Sequence, residues 1–130
     1  MKRLVLDVEN KVTHKVFTNR KGEEKNWIDG SPYEPENYLV SVGIVRDPIK
    51  EPDKTDYFCF KHNDWAELNP AHLAEEEYWH VQRALDETDL LICHNAKFDL
   101  GWLLECGFVY DGPVYCTMIA EYVMLMGRPG

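Results

Sequence analysis

Leu4-Val5-Leu6-Asp7-Val8-Glu9 is apolar on both faces up to Asp7. Side chains alternate along a strand, so a run with no polar face belongs where both faces are dry. The stretch predicts a short central strand with acidic residues at its C-terminal end. Two further runs, Tyr38-Leu39-Val40-Ser41-Val42-Gly43-Ile44-Val45 and Tyr57-Phe58-Cys59-Phe60, carry the β-branched and aromatic residues that strands favour. Residues 46–53 between them hold Pro48 and Pro52 and turn the chain. No helical pattern separates the three runs, so an antiparallel meander is the economical pairing. Residues 11–18 read as one more short strand. Residues 19–37 are polar, contain Gly22, Gly30, Pro32 and Pro35, and have no period. They read as a loop excursion, long for a compact domain.

The second half changes period. Asn69-Pro70 supplies an N-cap and a first helical residue. Ala74, Tyr78, Val81 and Leu85 then recur at helical spacing, with Glu75, Glu76, Gln82 and Arg83 between them. Asp89-Leu90-Leu91-Ile92-Cys93 predicts a buried strand, and residues 97–106 a helix stopped by Gly107. Val114-Tyr115-Cys116 is a last short strand. Thr117 caps a helix that runs through Met126 and ends at Gly127, with Pro129 beyond. Strands linked through helices pair in parallel. The expected fold is one α/β domain over residues 1–130. It has a mixed five-stranded sheet, an antiparallel three-strand meander plus two parallel strands, with helices on both faces.

Composition sets the class. Of 130 residues, 45% are hydrophobic and 28% charged, the balance of a soluble chain with one core. No run of about 18 apolar residues occurs, so no membrane partner is expected. The basic start Met1-Lys2-Arg3 leads into an apolar run that Asp7 ends too soon for a signal peptide. A cytoplasmic location is expected. Cys59, Cys93, Cys106 and Cys116 form no Cys-x-x-Cys pair, and the histidines do not group around them, so four reduced, mostly buried thiols are expected. The net charge of −9 opposes a grip on phosphates. Sites that concentrate carboxylates around divalent cations are a partial exception, and such a chain leans on a basic neighbour to hold duplex DNA.

Asp7 and Glu9 are two apart on a strand and share a face. Paired carboxylates at the end of a buried strand repel each other and lose hydration, and a divalent cation between them removes both penalties. A strand that has simply ended in solvated acids shows the same pair. The second constellation is Cys93-His94-Asn95-Ala96-Lys97-Phe98-Asp99, where an apolar strand gives way to a helix. Ligands of open α/β sheets gather beyond the C-terminal ends of the parallel strands. If this strand lies beside the first and parallel to it, Asp99 comes near Asp7 and Glu9. Three carboxylates with oxygen donors only suit Mg²⁺ or Mn²⁺. Asn95 also reads as a helix N-cap, and Asp99 as an acid favouring the positive helix end.

Asp7-x-Glu9 followed by Asn95-x-x-x-Phe98-Asp99 resembles the first two motifs of the DEDD exonuclease superfamily. The residues 31–43, Ser31-Pro32-Tyr33-Glu34-Pro35-Glu36-Asn37-Tyr38-Leu39-Val40-Ser41-Val42-Gly43, look like the approach to the second strand in bacteriophage family A DNA polymerases. His94-Asn95-Ala96-Lys97-Phe98-Asp99-Leu100 and Thr117-Met118-Ile119-Ala120 are similar to the same group. The resemblance covers nearly the whole chain. It implies a ribonuclease-H-like fold and a proofreading 3′→5′ exonuclease that releases nucleoside monophosphates from DNA 3′ ends. It implies two cations, Mg²⁺ or Mn²⁺, about 3.5–4 Å apart. Asp7 would bridge both, Glu9 would complete one site near the terminal 3′-hydroxyl, and Asp99 would hold the second through water. Asn95 and Phe98 match the motif and would shape the pocket for the terminal nucleotide. Single-stranded 3′ ends are the implied substrate, and the host-cell cytoplasm the implied compartment of a phage chain.

The family's third motif, Tyr-x-x-x-Asp or His-x-x-x-Asp, has no counterpart after Thr117. The expectation is a front piece whose C-terminal helices are missing, with the rest of the exonuclease or a polymerase supplied in cis or in trans. The alternative is a catalytically incomplete module that serves as a docking or structural part of a split polymerase. His94 reads as structural. Trp79 and Trp102 read as core, and Trp27, in the polar excursion, as the better candidate for a DNA or protein contact.

Overall fold

The structure, a computed structural model, describes residues 1–60 and 70–125. It is a mixed α/β fold whose sheet is centred on β1 (Arg3–Asn10). β4 (Leu39–Val45) runs antiparallel to β1, and β5 (Asp56–Cys59) antiparallel to β4. On the other side β6 (Leu90–Cys93) runs parallel to β1, and β7 (Val114–Cys116) parallel to β6. The order is β5-β4-β1-β6-β7, a meander joined to two parallel strands. β2 (Thr13–Thr18) and β3 (Glu24–Asp29) pair only with each other, as a separate antiparallel ribbon. Three helices complete the described residues: α1 (Pro70–Asp86), α2 (Ala96–Glu105) and α3 (Thr117–Leu125). None is long and apolar enough to cross a membrane.

Pairing register sorts the sheet into two unlike faces. Leu4, Leu6 and Val8 are buried, and their cross-strand partners Leu91, Ile44 and Val42 lie on the same face. Val81 and Leu85 of α1, with Trp102 and Leu103 of α2, close over that face in one apolar cluster. Each such side chain contributes roughly 1.5–3 kcal/mol by leaving water. The opposite face carries Asp7, Glu9, Gly43, Tyr57 and Tyr115. α3 lines a cavity with Tyr115 there, yet buries none of its own residues. Met118, Ile119, Tyr122 and Met124 are all exposed.

α2 stops as its sequence predicts. Gly107 takes φ +93, and the Phe108 N–H donates to Leu103 O at 2.9 Å, the closing bond of a left-handed cap. The N-terminal end differs. Asn95 precedes α2 but its side chain makes no capping hydrogen bond. Thr117 is the first residue of α3, and its hydroxyl turns back to β6, 2.9 Å from His94 Nδ1 and 3.5 Å from Cys93 O. Asn69, Met126, Gly127, Pro129 and Trp65 lie outside the described residues.

Three expectations need correction. The excursion at residues 19–37 contains β3, which has no alternation of its own and is held by its ladder to β2. The turn between them is tied by Asn19 Oδ1, which accepts the N–H groups of Lys21 and Glu23, and by Gly22 at φ +78. Trp79 is 60% exposed rather than core, because Tyr78, Val81, Gln82 and Leu85 take the inward positions of α1, while Trp102 is buried as expected. The cysteines are free, but only Cys93 is buried, and Cys59 and Cys106 are exposed.

Candidate functional site

β1 outruns its parallel neighbour. The pairing with β6 ends at Val5↔Ile92, while the pairing with β4 continues through Val8↔Val42 and Glu9↔Ser41. The C-terminal half of β1 therefore has an edge that β6 does not cover. α2 begins three residues after β6 ends and brings Asp99 to that edge. Asp99 Oδ1 accepts the Val8 N–H at 3.3 Å, satisfying a donor that a longer β6 would have taken. The carboxylate is 2% exposed. The helix that follows the neighbouring parallel strand is thus fastened to the backbone between Asp7 and Glu9.

The electrostatics follow from that placement. Burial is the largest influence on Asp99 and, with the charge of Asp7, pushes its carboxyl up to about 6, against backbone hydrogen bonds from Val8 and Asn95 and the influence of His94. Cys93, beneath it, is pushed up to about 12 by burial and then by the Asp99 charge. Its thiol is therefore protonated and is not poised as a nucleophile.

Asp7 and Glu9 project from the other face, both exposed. They line a groove of about 220 Å³ with Ser41, Gly43, Thr55 and Tyr57. Two cross-strand rows build it. Asp7 pairs with Gly43, and Gly43 with Tyr57, whose ring lies across the glycine; a Cβ at Gly43 would meet Tyr57 Cε1 at 3.1 Å. Glu9 pairs with Ser41, whose Oγ is 3.5 Å from Glu9 Oε2.

Of the expected site residues, Asp7 and Glu9 share one groove. Asp99 does not line that groove, contrary to the expectation of three carboxylates in one cleft; it reaches the strand between the pair at the Val8 amide. Among the described residues no three His, Cys, Asp or Glu side chains gather into one metal cage. The donor chemistry, carboxylate oxygens with surplus negative charge, is that of a hard divalent cation. Asn95 is half-buried at the start of α2, and Phe98 is half-buried against the core and close to Gly30. His94 is exposed and meets Thr117. Ser41, Gly43 and Tyr57 were not foreseen as groove residues. The signal that finds them is the β1–β4–β5 register, which motif spacing does not contain.

No protein-family model matches the chain, and no curated protein matches it.

Proposed function

We propose that this chain is a segment of a metal-dependent 3′→5′ exonuclease of the proofreading type, on a ribonuclease-H-like fold, and part of a phage-type DNA polymerase. The observation that carries the reading is the link between its two acidic motifs. Asp7 and Glu9 end the central strand, and Asp99, on the first turn of the helix after the adjacent parallel strand, hydrogen-bonds the Val8 amide between them. The five-stranded order, an antiparallel meander followed by two parallel crossover strands, supports the same reading.

In this reading Asp7 and Glu9 hold Mg²⁺ or Mn²⁺ on the open face, and Asp99 supports that site from the strand edge. Bound divalent cations supply charge neutralisation at a phosphodiester and a water of lowered pKa. The chain's own part is to concentrate negative charge, to keep Asp99 desolvated, and to offer a groove open on one side to a strand end. Phe98 and Asn95, at the start of α2, border the approach for the terminal nucleotide.

A second reading is a docking or structural module of a split polymerase. It draws on the absence of a three-ligand group among the described residues. One experiment separates the two. A 5′-labelled single-stranded DNA is incubated with Mn²⁺ and the chain, alone and with a family A polymerase segment added in trans. The exonuclease reading expects stepwise shortening from the 3′ end, abolished by Asp7→Ala and by Asp99→Ala with the far-UV circular dichroism unchanged. Undiminished cleavage by either variant refutes it, and no cleavage in any combination favours the module.

A further inference from the structure

The β2–β3 ribbon alternates rings and cations on one of its faces. Its register sets Lys15 opposite Trp27 and Phe17 opposite Lys25. Residues two apart on a strand share a face, and so do directly opposed pairs. These four side chains therefore stand together. Phe17 is 52% exposed and Trp27 47%. Neither ring belongs to the apolar core, and neither strand packs extensively on any element but the other. Two large rings on a ribbon wet on both sides stabilise the fold little, so their place calls for a reason outside it.

Charge supplies the direction. Residues 11–29 hold Lys11, Lys15, Arg20, Lys21 and Lys25, five of the chain's 14 lysines and arginines, against three of its 23 acids. The ribbon is net positive on a chain of net charge −9. Lys15 is committed to Asp29 and Glu34, and its ammonium lies 5.6 Å from the Trp27 ring centre. Among the described residues Lys25 pairs with the exposed Glu23, at 3.2 Å, a contact that a phosphate displaces at small cost. Arg20 and Lys21 are exposed at the turn.

The ribbon is rooted at the candidate site. β2 starts three residues after Asn10, the residue that follows Glu9. The ribbon closes at Gly30, whose carbonyl accepts Asn10 Nδ2 at 3.2 Å and Trp102 Nε1 at 2.9 Å. Gly30 lies against the Phe98 ring, on the helix that carries Asp99. Asn37, buried, fixes the base further by donating to Asp29 O and Ser31 O and accepting from the Thr13 hydroxyl.

We propose that the β2–β3 ribbon is an arm for single-stranded DNA. Phe17 and Trp27 stack on unpaired bases, and Lys25, Arg20 and Lys21 meet the phosphates. Stacking suits any sequence because every base has a π-face, and it excludes duplex, whose base faces are already covered. That the held strand ends in the Asp7–Glu9 groove rests on the exonuclease reading; the arm itself does not.

The test is fluorescence anisotropy of a short labelled oligothymidylate with the 130-residue chain in EDTA, which separates binding from cleavage. The wild type is expected to bind it more tightly than a duplex of equal length. Trp27→Ala and Phe17→Ala should each weaken binding by roughly fivefold or more, with Trp27→Phe restoring most of it. Lys25→Glu should weaken binding further, while Lys50→Glu, the same charge change outside the ribbon, should not. Circular dichroism establishes that each variant folds. The proposal is overturned if both alanine variants bind as the wild type does, if duplex binds equally well, if Lys50→Glu matches Lys25→Glu, or if the wild type does not bind. Binding through the ribbon with no metal-dependent cleavage counts against the exonuclease reading alone. Cleavage that persists in ribbon variants with unchanged binding counts against the arm alone.

Discussion

Replacing Asp99 with asparagine keeps the Oδ1 acceptor for the Val8 amide and removes the charge. Burial, with the charge of Asp7, pushes the Asp99 carboxyl up to about 6 from its ordinary 3.8. The folded state therefore holds a proton that the unfolded state releases between about pH 4 and pH 6. Where the native state binds more protons, stability falls as pH rises. The favourable contribution is whole below the unfolded value and gone above the folded one. Moving the carboxyl from 3.8 to about 6 corresponds to roughly 3 kcal/mol of cost to the charged form at neutral pH. Asp99→Asn should recover much of that cost at pH 8 and almost none at pH 4. Cys93, pushed up to about 12, stays protonated throughout and contributes nothing to the difference. Urea unfolding in EDTA at pH 4, 6 and 8 reads the effect as a midpoint shift at constant slope. A variant that is no more stable than the wild type at pH 8, or equally stabilised at pH 4 and 8, would refute the reasoning, since burial and the charge of Asp7 would then not bear on Asp99.

Three further outcomes follow from the same geometry. Mn²⁺ held by Asp7 and Glu9 should stabilise the native chain by about 1.4 kcal/mol at tenfold excess over its dissociation constant, seen as a raised Tm that Asp7→Ala abolishes; the same rise in the variant would disprove the site. Trp102→Phe removes the Nε1 donor from Gly30 O and should cost about 1 kcal/mol, with faster amide exchange across residues 13–29 than across β1. Gly107→Ala places a Cβ at φ +93 and should cost about 1 kcal/mol or more, measurable by thermal unfolding.

Much of the sheet was legible in the sequence. Leu4-Val5-Leu6 could satisfy its apolar faces only inside a sheet, and the lack of helices before Tyr57 left antiparallel pairing for the first half. Gly107 marked the end of α2 because the left-handed cap it forms disfavours a side chain. β3 was not legible. Glu24-Lys25-Asn26 carries no apolar alternation, and its extended form comes from hydrogen bonds to β2 rather than from its own residues. The exposure of Trp79 was hidden for a related reason. Helical spacing identifies a stripe, but which of two neighbouring aromatics faces inward depends on what the helix meets, here Phe108 beside Tyr78.

The amino-acid order by itself determined the strands of the main sheet and the helices between them, the acidic pair at Asp7 and Glu9, and a third acid early in the helix after a buried strand, because periodicity and spacing are local properties of the chain. Only the tertiary structure decided that the pairing of β1 with β6 stops at Ile92 while β1 runs on, leaving the Val8 amide for Asp99 to take. It also decided that Gly43 and Tyr57 flank Asp7, and that Phe17 and Trp27 share a face with Lys25. Those facts live in the register between strands. Register is set by burying one face and by pairing backbone donors across the whole sheet, a balance no single segment contains.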